Sequence, residues 1–536
     1  MRNAPAVGTV ARFAVLALVA FFGVGTVAPW SSASQRASRR EVSGYYEGTA
    51  ATSTHGDLSV SLNLRHDGKA FSGSMQTPLG EFPVAGGRFT TEGIEITVHS
   101  YDDEGTITAT LDGGALTGSF AGFGATARLA LKRTGPFRPP VEVRPSLALS
   151  ADDWRSDLRL LARELPERHK SAFHRVTREQ FEAAVAELDR SLPSLSGIEV
   201  VLGLSRLVAM IGDGHTGLGW GGLSPRLPIR LHWFGDELRV THAAASARRA
   251  LGARVVAIGG VPVRKLYERA RAYIAQGESE SFVLEQSASR LTYPALLRAL
   301  GAAPDAARAD LALEADGGRR FSLALRGTGP DEPATWLDAR ARVPLAERRP
   351  GEEVWFTYLR PQQTVYLNFS DYPRRPAFAA FARAFFAFLD AHDVRRVVMD
   401  LRANGGGDLT RGRDFIVSNF KKREARFPRG TLFVLVGRVT FSAGMSNAAD
   451  LRNELKAVLV GEPTGGRPNA YTENRAFTLP KSGLTVGYST QYYQLAPADT
   501  PGLIPDKRIE TRWSDYRAGR DPVLAWALTA EIEKGE

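Results

Sequence analysis

Ser442 stands in "GRVTFSAGMSNAADL" (437–451), between the apolar run "TLFVLV" and the charged, helix-forming "RNELKAVLV". A hydroxyl placed where a buried strand turns into a helix is either that helix's cap or a nucleophile. A nucleophilic serine needs a base to take its proton, and histidine is the usual one because its pKa lies near working pH. The chain offers His55, His66, His99, His169, His174, His215, His232, His242 and His392, and none follows Ser442. A Ser–His pair must therefore reach backwards along the chain. The first three lie in a β-rich N-terminal part. His169 and His174 flank a helix break in a polar setting and read as surface residues. His232 and His242 fall in strands, and His392 in the charged "DAHDVRR". His215 differs, because "IGDGHTGLGW" surrounds it with Gly212, Gly214 and Gly217 and gives the ring little apolar cover. It is either a catalytic base or a loop histidine satisfied by local hydrogen bonds.

Acyl transfer also creates an oxyanion, which two preorganised N–H donors must hold, and glycines let the backbone approach closely enough to supply them. "DLRANGGGD" (400–408) is such a loop. The N–H of Gly406 or Gly407 is one candidate donor. That of Ala443, at the start of the helix after Ser442, is the other, aided by the helix dipole. No Gly-Lys-Ser/Thr follows the glycines, so the loop is not a phosphate loop. "TFSAG" lacks the first glycine of a nucleophile elbow, and no histidine follows it, which excludes the Ser–Asp–His order of α/β-hydrolases. No His-Glu-x-x-His zinc motif occurs and there is no cysteine, so disulfides, thiolate chemistry and Cys-type zinc sites are excluded. Neither a metal nor a cofactor is expected.

The elements that must position these residues alternate in the last third of the chain. "QTVYLNFSDY" reads as a strand, "AFAAFARAFFAFLDAH" as a buried helix, "VRRVVMDLRANGGG" as a strand ending in the glycine loop, and then comes the strand-to-helix stretch around Ser442. Strand–helix alternation implies a mostly parallel sheet, whose reactive groups gather at the carboxyl ends of its strands. Upstream, "DDWRSDLRLLARELPERH" and "TREQFEAAVAELDRSLPSL" carry helical spacing, each opened by an Asp or Thr cap, and "GIEVVLGLSRLVAMI" is a third helix running into the His215 loop. Residues 226–264 are strand-rich and "RKLYERARAYIA" is helical.

At 536 residues the chain needs two to four domains, and its 43% hydrophobic content is ordinary for globular ones. Residues 43–133 alternate apolar and polar with Gly or Asp-Gly reversals, predicting a barrel or sandwich of seven or eight short strands. Residues 134–149 are Pro-rich and read as a linker. Arg2 and Arg12 precede "FAVLALVAFFGVGTVAPW" and then "SSASQ", the pattern of a signal peptide over 1–33, with an uncleaved membrane anchor as the alternative. The protein is thus expected to be exported, periplasmic or extracellular, touching a membrane only through that segment if it is retained. The net charge of +10 is scattered. The basic run "NFKKREARFPRG" (419–430) has no interleaved aromatic platform, so no nucleic-acid partner is expected.

Taken together, "IGDGHT", "VVMDLRANGGGD", "GRVTFSAGMSNAADL", "AVLVGEPTGGRPN" and "PGLIPD" resemble, in order and approximate spacing, the tail-specific or C-terminal-processing serine proteases and the related tricorn core. The resemblance covers roughly residues 150–525. It implies an α/β multidomain chain: a helical subdomain (150–222), a degenerate PDZ-like, β-rich insert (223–345) and a crotonase-like ααβ peptidase core (346–530), behind the N-terminal β module. It also implies Ser442 as nucleophile, with Ala443 and Gly406–Gly407 as the oxyanion hole. One branch of the family uses a lysine base about 25 residues after the serine. Arg467 stands there, and arginine stays protonated. The Ser–His branch instead points to His215, with Asp499 in "DTPGLIPD" as the acid and Glu473 in "YTENRAF" as the runner-up. Asp499 reads equally well as a turn residue. The expected function is a serine endopeptidase acting on protein or peptide substrates. The alternative is a catalytically weak peptide- or small-ligand-binding protein that keeps the fold.

Overall fold

The computed structural model describes residues 42–531, apart from 54–55, 78–79, 101–102, 124, 140–144, 330–331 and 333–334. The expected signal peptide, His55 and part of the expected linker lie outside the described residues. The chain divides into two compact units, residues 1–140 and 141–536.

In the first unit, eight antiparallel strands from Gly44–Thr52 to Ala125–Gly135 follow one another in order and close into a barrel, the last pairing with the first. It is a barrel and not a sandwich, and its last strand runs to Gly135, into the stretch read as linker. Alternate residues such as Tyr46, Leu62, Ile96, Ile107, Leu116 and Leu129 are buried. An eight-stranded barrel has an interior just wide enough for such side chains to fill.

The second unit opens with three helices, Ala151–Arg168, Arg178–Ser191 and Gly197–Ile211. Ser150, not an aspartate, caps the first by accepting from Asp153 N–H. Thr177 with Gln180 and Ser196 with Glu199 form capping boxes on the others. The third helix is apolar almost throughout and buries Val200, Val201, Leu204, Leu207, Val208 and Ile211. A seven-stranded antiparallel sheet follows, built from Ile229–Phe234, Glu237–Ala244, Arg254–Ile258, Val261–Pro262, Arg308–Glu314, Arg320–Arg326 and Trp336–Asp338, with helices Val263–Ala270, Glu280–Arg290 and Pro294–Ala299 between its strands.

The last part is a six-stranded sheet in the order Val354–Leu359, Thr364–Phe369, Arg396–Asp400, Leu432–Val436, Val458–Gly461 and Lys507–Arg508. All neighbours after the first pair are parallel. Its central strands are buried along their whole length, as a parallel sheet covered on both faces must be. The helix Arg375–Ala391 packs Phe378, Phe385 and Phe386 into the core on one face, and the helix Pro522–Thr529 covers the other through Val523 and Leu524. In the basic run 419–430, Lys421 pairs with Glu454, and Arg423 and Arg426 pair with Asp390. Among the described residues, no helix is long and apolar enough to cross a membrane.

Candidate active site

Two adjacent parallel strands deliver the first half of the site. Arg396–Asp400 ends in the glycine loop, and Leu432–Val436 ends in the turn that becomes the helix Ser442–Leu455. The two loops are tied together by Asn404, which is fully buried. Its backbone oxygen accepts Phe441 N–H at 3.1 Å, its Oδ1 accepts Gly406 N–H at 3.0 Å, and its Nδ2 donates to Phe369 O at 3.0 Å. Thr440 adds a hydrogen bond from its hydroxyl to Leu401 O at 2.8 Å.

Ser442 is the first residue of its helix and has φ +47°. A serine gains nothing from the left-handed region, which costs an L-residue roughly 1–2 kcal/mol, and such strain concentrates at functional sites. "TFSAG" lacks the first glycine of a nucleophile elbow, and no histidine follows it. The backbone strain is present without that glycine. No side chain caps this helix, so Ser442 is not its cap. Gly406 lies directly against the serine: a Cβ there would stand 2.5 Å from Ser442 Cβ and 3.2 Å from Ala443 N.

The second half of the site comes from the loop after the helix Gly197–Ile211. Gly212, at φ +100°, ends the helix. Asp213 then folds the loop around its own carboxylate: Oδ1 accepts His215 N–H at 3.1 Å, Thr216 N–H at 2.9 Å and the Ser489 hydroxyl at 2.6 Å, while Oδ2 meets His169 Nε2 at 2.8 Å. Burial alone would raise the Asp213 pKa, but the bonds from His169, Ser489 and Thr216 hold it below the usual carboxylate value. The loop leaves as the short strand Gly217–Leu218, which pairs with Thr485–Gln494 and through it with Asn469–Thr478.

This arrangement brings His215 Nε2 to 2.9 Å from Ser442 Oγ, across 227 positions of sequence. Burial lowers the His215 pKa, against the Asp213 charge, the Tyr471 backbone and the Glu473 charge, which act the other way. The ring therefore favours its neutral form, and with Nε2 accepting from the serine its proton sits on Nδ1. Nδ1 is buried and has no partner in hydrogen-bond geometry. Phe441 packs on the ring at 4.7 Å between centroids and is itself backed by Phe282 at 5.3 Å. A cavity of about 80 Å³ opens beside the pair, with Gly407, Ala443, Glu278, Arg467 and Glu473 among its lining residues.

The other expected residues fall as follows. The N–H of Gly406 is spent on Asn404, so this donor is removed from the expected oxyanion hole. Gly407 and Ala443, both on the cavity, are the N–H groups left for it. Asp499 is not brought to His215. It is 60% exposed and pairs with Arg467, because its loop packs against the segment carrying that arginine. Glu473 lies on the cavity rim with φ +55°, its Oε1 accepting the Tyr493 hydroxyl at 2.8 Å. It acts on His215 through charge and not through a hydrogen bond. His169 is no surface residue: it is buried, held by Asp213, and stacked with His174 at 6.0 Å.

Sequence reasoning missed Asn404, Asp213 and Glu278. The first two stand in the quoted motifs "ANGGG" and "GDGHT", where a polar residue beside glycines signals a loop that must satisfy its own backbone. Glu278 carried no local signal. Among the described residues, no group of three or more His, Asp or Glu side chains is placed to hold a metal.

No family model and no curated protein matches the sequence. Similar solved structures include mature CPAF complexed with lactacystin, at 13% identity and a TM-score of 0.46, covering 71% of this chain and 99% of that one. The photosystem II D1 C-terminal processing protease is similar at 16% identity and 0.34, covering 67% and 93%. The tricorn protease is similar at 14% and 0.36, covering 90% and 46%. All three TM-scores lie below 0.5.

Proposed function

We propose that the protein is a serine peptidase. Ser442 Oγ attacks the carbonyl carbon of a peptide bond while His215 Nε2 takes its proton. The oxyanion that forms is held by the N–H groups of Ala443 and Gly407. His215 then gives the proton to the leaving amine nitrogen, the C–N bond breaks, and an acyl-enzyme remains on Ser442. Water, deprotonated by the same imidazole, hydrolyses it. The observation that carries this reading is the 2.9 Å contact between His215 Nε2 and a serine held at φ +47°. Neither a loop histidine nor a helix cap requires it.

The finer expectations belong to the same reading: a Ser–His branch of the tail-specific proteases, a crotonase-like core with a PDZ-like insert, and export directed by the N-terminal segment. Arg467 supports the branch, since it occupies the lysine position and is engaged with Asp499 and with Gly277 O. One observation favours the weakly catalytic alternative, namely that no carboxylate hydrogen-bonds His215 Nδ1, which has only the Tyr471 backbone near it, outside good hydrogen-bond geometry.

The test is incubation of the purified chain and its Ser442→Ala variant with an unfolded protein mixture, reading new termini by mass spectrometry. Cleavage that vanishes in the variant supports the peptidase. Equal silence from both, together with no labelling of Ser442 by a fluorophosphonate, would sink it.

A further inference from the structure

Glu278 has no part in the proton transfers above, yet it is built into the site. It precedes the helix Glu280–Arg290, and Gly277–Ser279 ties the His215 loop to the segment 464–467 that lines the same cavity. Gly277 N–H donates to Gly212 O at 2.9 Å, Glu278 Oε1 accepts Gly214 N–H at 2.8 Å, and Arg467 Nη1 donates to Gly277 O at 2.7 Å. The Ser279 hydroxyl reaches Gly465 O at 2.9 Å. One carboxylate oxygen is thereby fixed in place. The other, Oε2, is buried with no hydrogen-bond partner, and Glu278 is one of the residues that line the cavity. A buried carboxylate oxygen without a partner is rare in folded proteins and calls for an explanation.

The charge around the cavity suggests one. Glu473 stands at its rim, held in a strained backbone conformation and aimed by Tyr493. The cation on the wall, Arg467, is already committed to Asp499. That leaves two carboxylates, one deep and one at the entrance, beside a nucleophile.

Resting on the peptidase reading, we propose that Glu278 is a specificity-determining residue: its Oε2, with Glu473 at the rim, receives the cationic head of a lysine or arginine side chain of the substrate next to the bond that Ser442 attacks. Because Oε1 is anchored by Gly214, the residue before His215, the bound side chain is referenced directly to the base.

The ionisation of Glu278 gives the proposal a pH signature. Burial pushes its pKa up to about 7, helped by the Asp213 charge and opposed by Gly214 N–H, Arg467 and the Ser279 backbone. Arg175, which reaches Gly277 O at 3.3 Å, is a further cation on this segment, and His215 and Glu473 face the same cavity. A lysine stays charged throughout the neutral range. Preference for it should therefore be full above about pH 7 and fade below it.

The experiment uses the full chain carrying Ser442→Ala, so that binding is read without cleavage. Fluorescent peptides differing only in Lys, Met or Glu at one position are titrated by anisotropy from pH 6 to 8.5, against this protein and against its Glu278→Gln derivative. Gln keeps the acceptor for Gly214 N–H but replaces Oε2 by a donor. At pH 8 the Lys peptide should bind about tenfold tighter than the Met peptide, the size expected when one buried charged hydrogen bond is gained. The advantage should shrink at pH 6 and vanish in Glu278→Gln, while Glu473→Gln should reduce it only partly. No Lys advantage, or one that survives Glu278→Gln, overturns the proposal. If Glu278→Gln fails to fold, the pH dependence in the Ser442→Ala protein decides, and a flat profile overturns it. Lys preference in a protein that never cleaves would retain the pocket and refute the peptidase.

Discussion

Asp213 and His169 form a buried pair, Oδ2 to Nε2 at 2.8 Å, and the second oxygen of the same carboxylate receives the backbone N–H of His215. The residue that sets the His215 loop is thus anchored by a histidine 44 positions upstream, before the buried helix Gly197–Ile211 in sequence. His169→Ala leaves that carboxylate buried with one partner fewer. It should cost about 3–5 kcal/mol of stability, read as a lowered urea midpoint. A displaced His215 should add a fall in kcat on the order of 10²-fold at temperatures where the variant is still folded.

The same carboxylate makes stability pH-dependent. Its pKa is held below the usual value in the folded state, so its contribution is complete above the unfolded value, near 3.8, and is lost as pH falls through the folded one. Ser489→Ala removes one of the bonds that hold it down. Acid unfolding followed by circular dichroism should begin at a higher pH in this variant than in the wild type.

Ser442 stores backbone strain that glycine would release. Ser442→Gly and Ser442→Ala should both abolish cleavage, but the glycine variant should be the more stable of the two by about 0.5–1 kcal/mol. Relief of the left-handed strain exceeds glycine's entropic cost there. Equal melting temperatures, or a less stable glycine variant, would contradict the strain assigned to φ +47°.

Gly406 is needed for space and not for its N–H. Gly406→Ala places a Cβ 2.5 Å from that of Ser442 and should lower kcat by 10²-fold or more, with little change in KM. Asn404→Ala frees the Gly406 N–H but unties the two loops. It should lose both stability and rate, which separates the two residues' roles.

His215 should work as a neutral base well into the acid range, because burial depresses its pKa below the ordinary 6.5. The rate of Ser442 labelling by an uncharged fluorophosphonate, which has no cationic group for Glu278, should fall only below that pH. Asp499→Asn, by contrast, disturbs an exposed pair with Arg467 and should change the labelling rate less than tenfold.

How much of this was legible in the residues differs from one element to the next. The barrel could be read from alternating residues and glycine reversals, because a strand's period of two is a local property. Its closure could not, since pairing of the first strand with the last joins Gly48 to Leu131. The helix Gly197–Ile211 could be read from its apolar spacing, whereas the burial of His169 depended on Asp213 arriving from the end of that helix. The choice between the Gly406 and Gly407 donors was illegible for a similar reason, since Gly406 N–H is bonded to Asn404 Oδ1. A glycine's freedom is visible in sequence, but the acceptor its N–H finds is not.

The sequence by itself determined which groups were available: a serine at a strand-to-helix switch, one histidine among glycines, an arginine where a lysine base would stand, and no cysteine. Residue type sets pKa range, charge and nucleophilicity, and these do not require a fold to be stated. Only the tertiary structure decided that His215 and Ser442 are hydrogen-bonded, that Asp499 pairs with Arg467, and that Glu278, beside the cavity, keeps one carboxylate oxygen buried without a hydrogen-bond partner. Each of those is a distance or a desolvation between residues far apart in sequence. Such quantities arise when parallel strands set neighbouring loops side by side and the core excludes water from the groups between them.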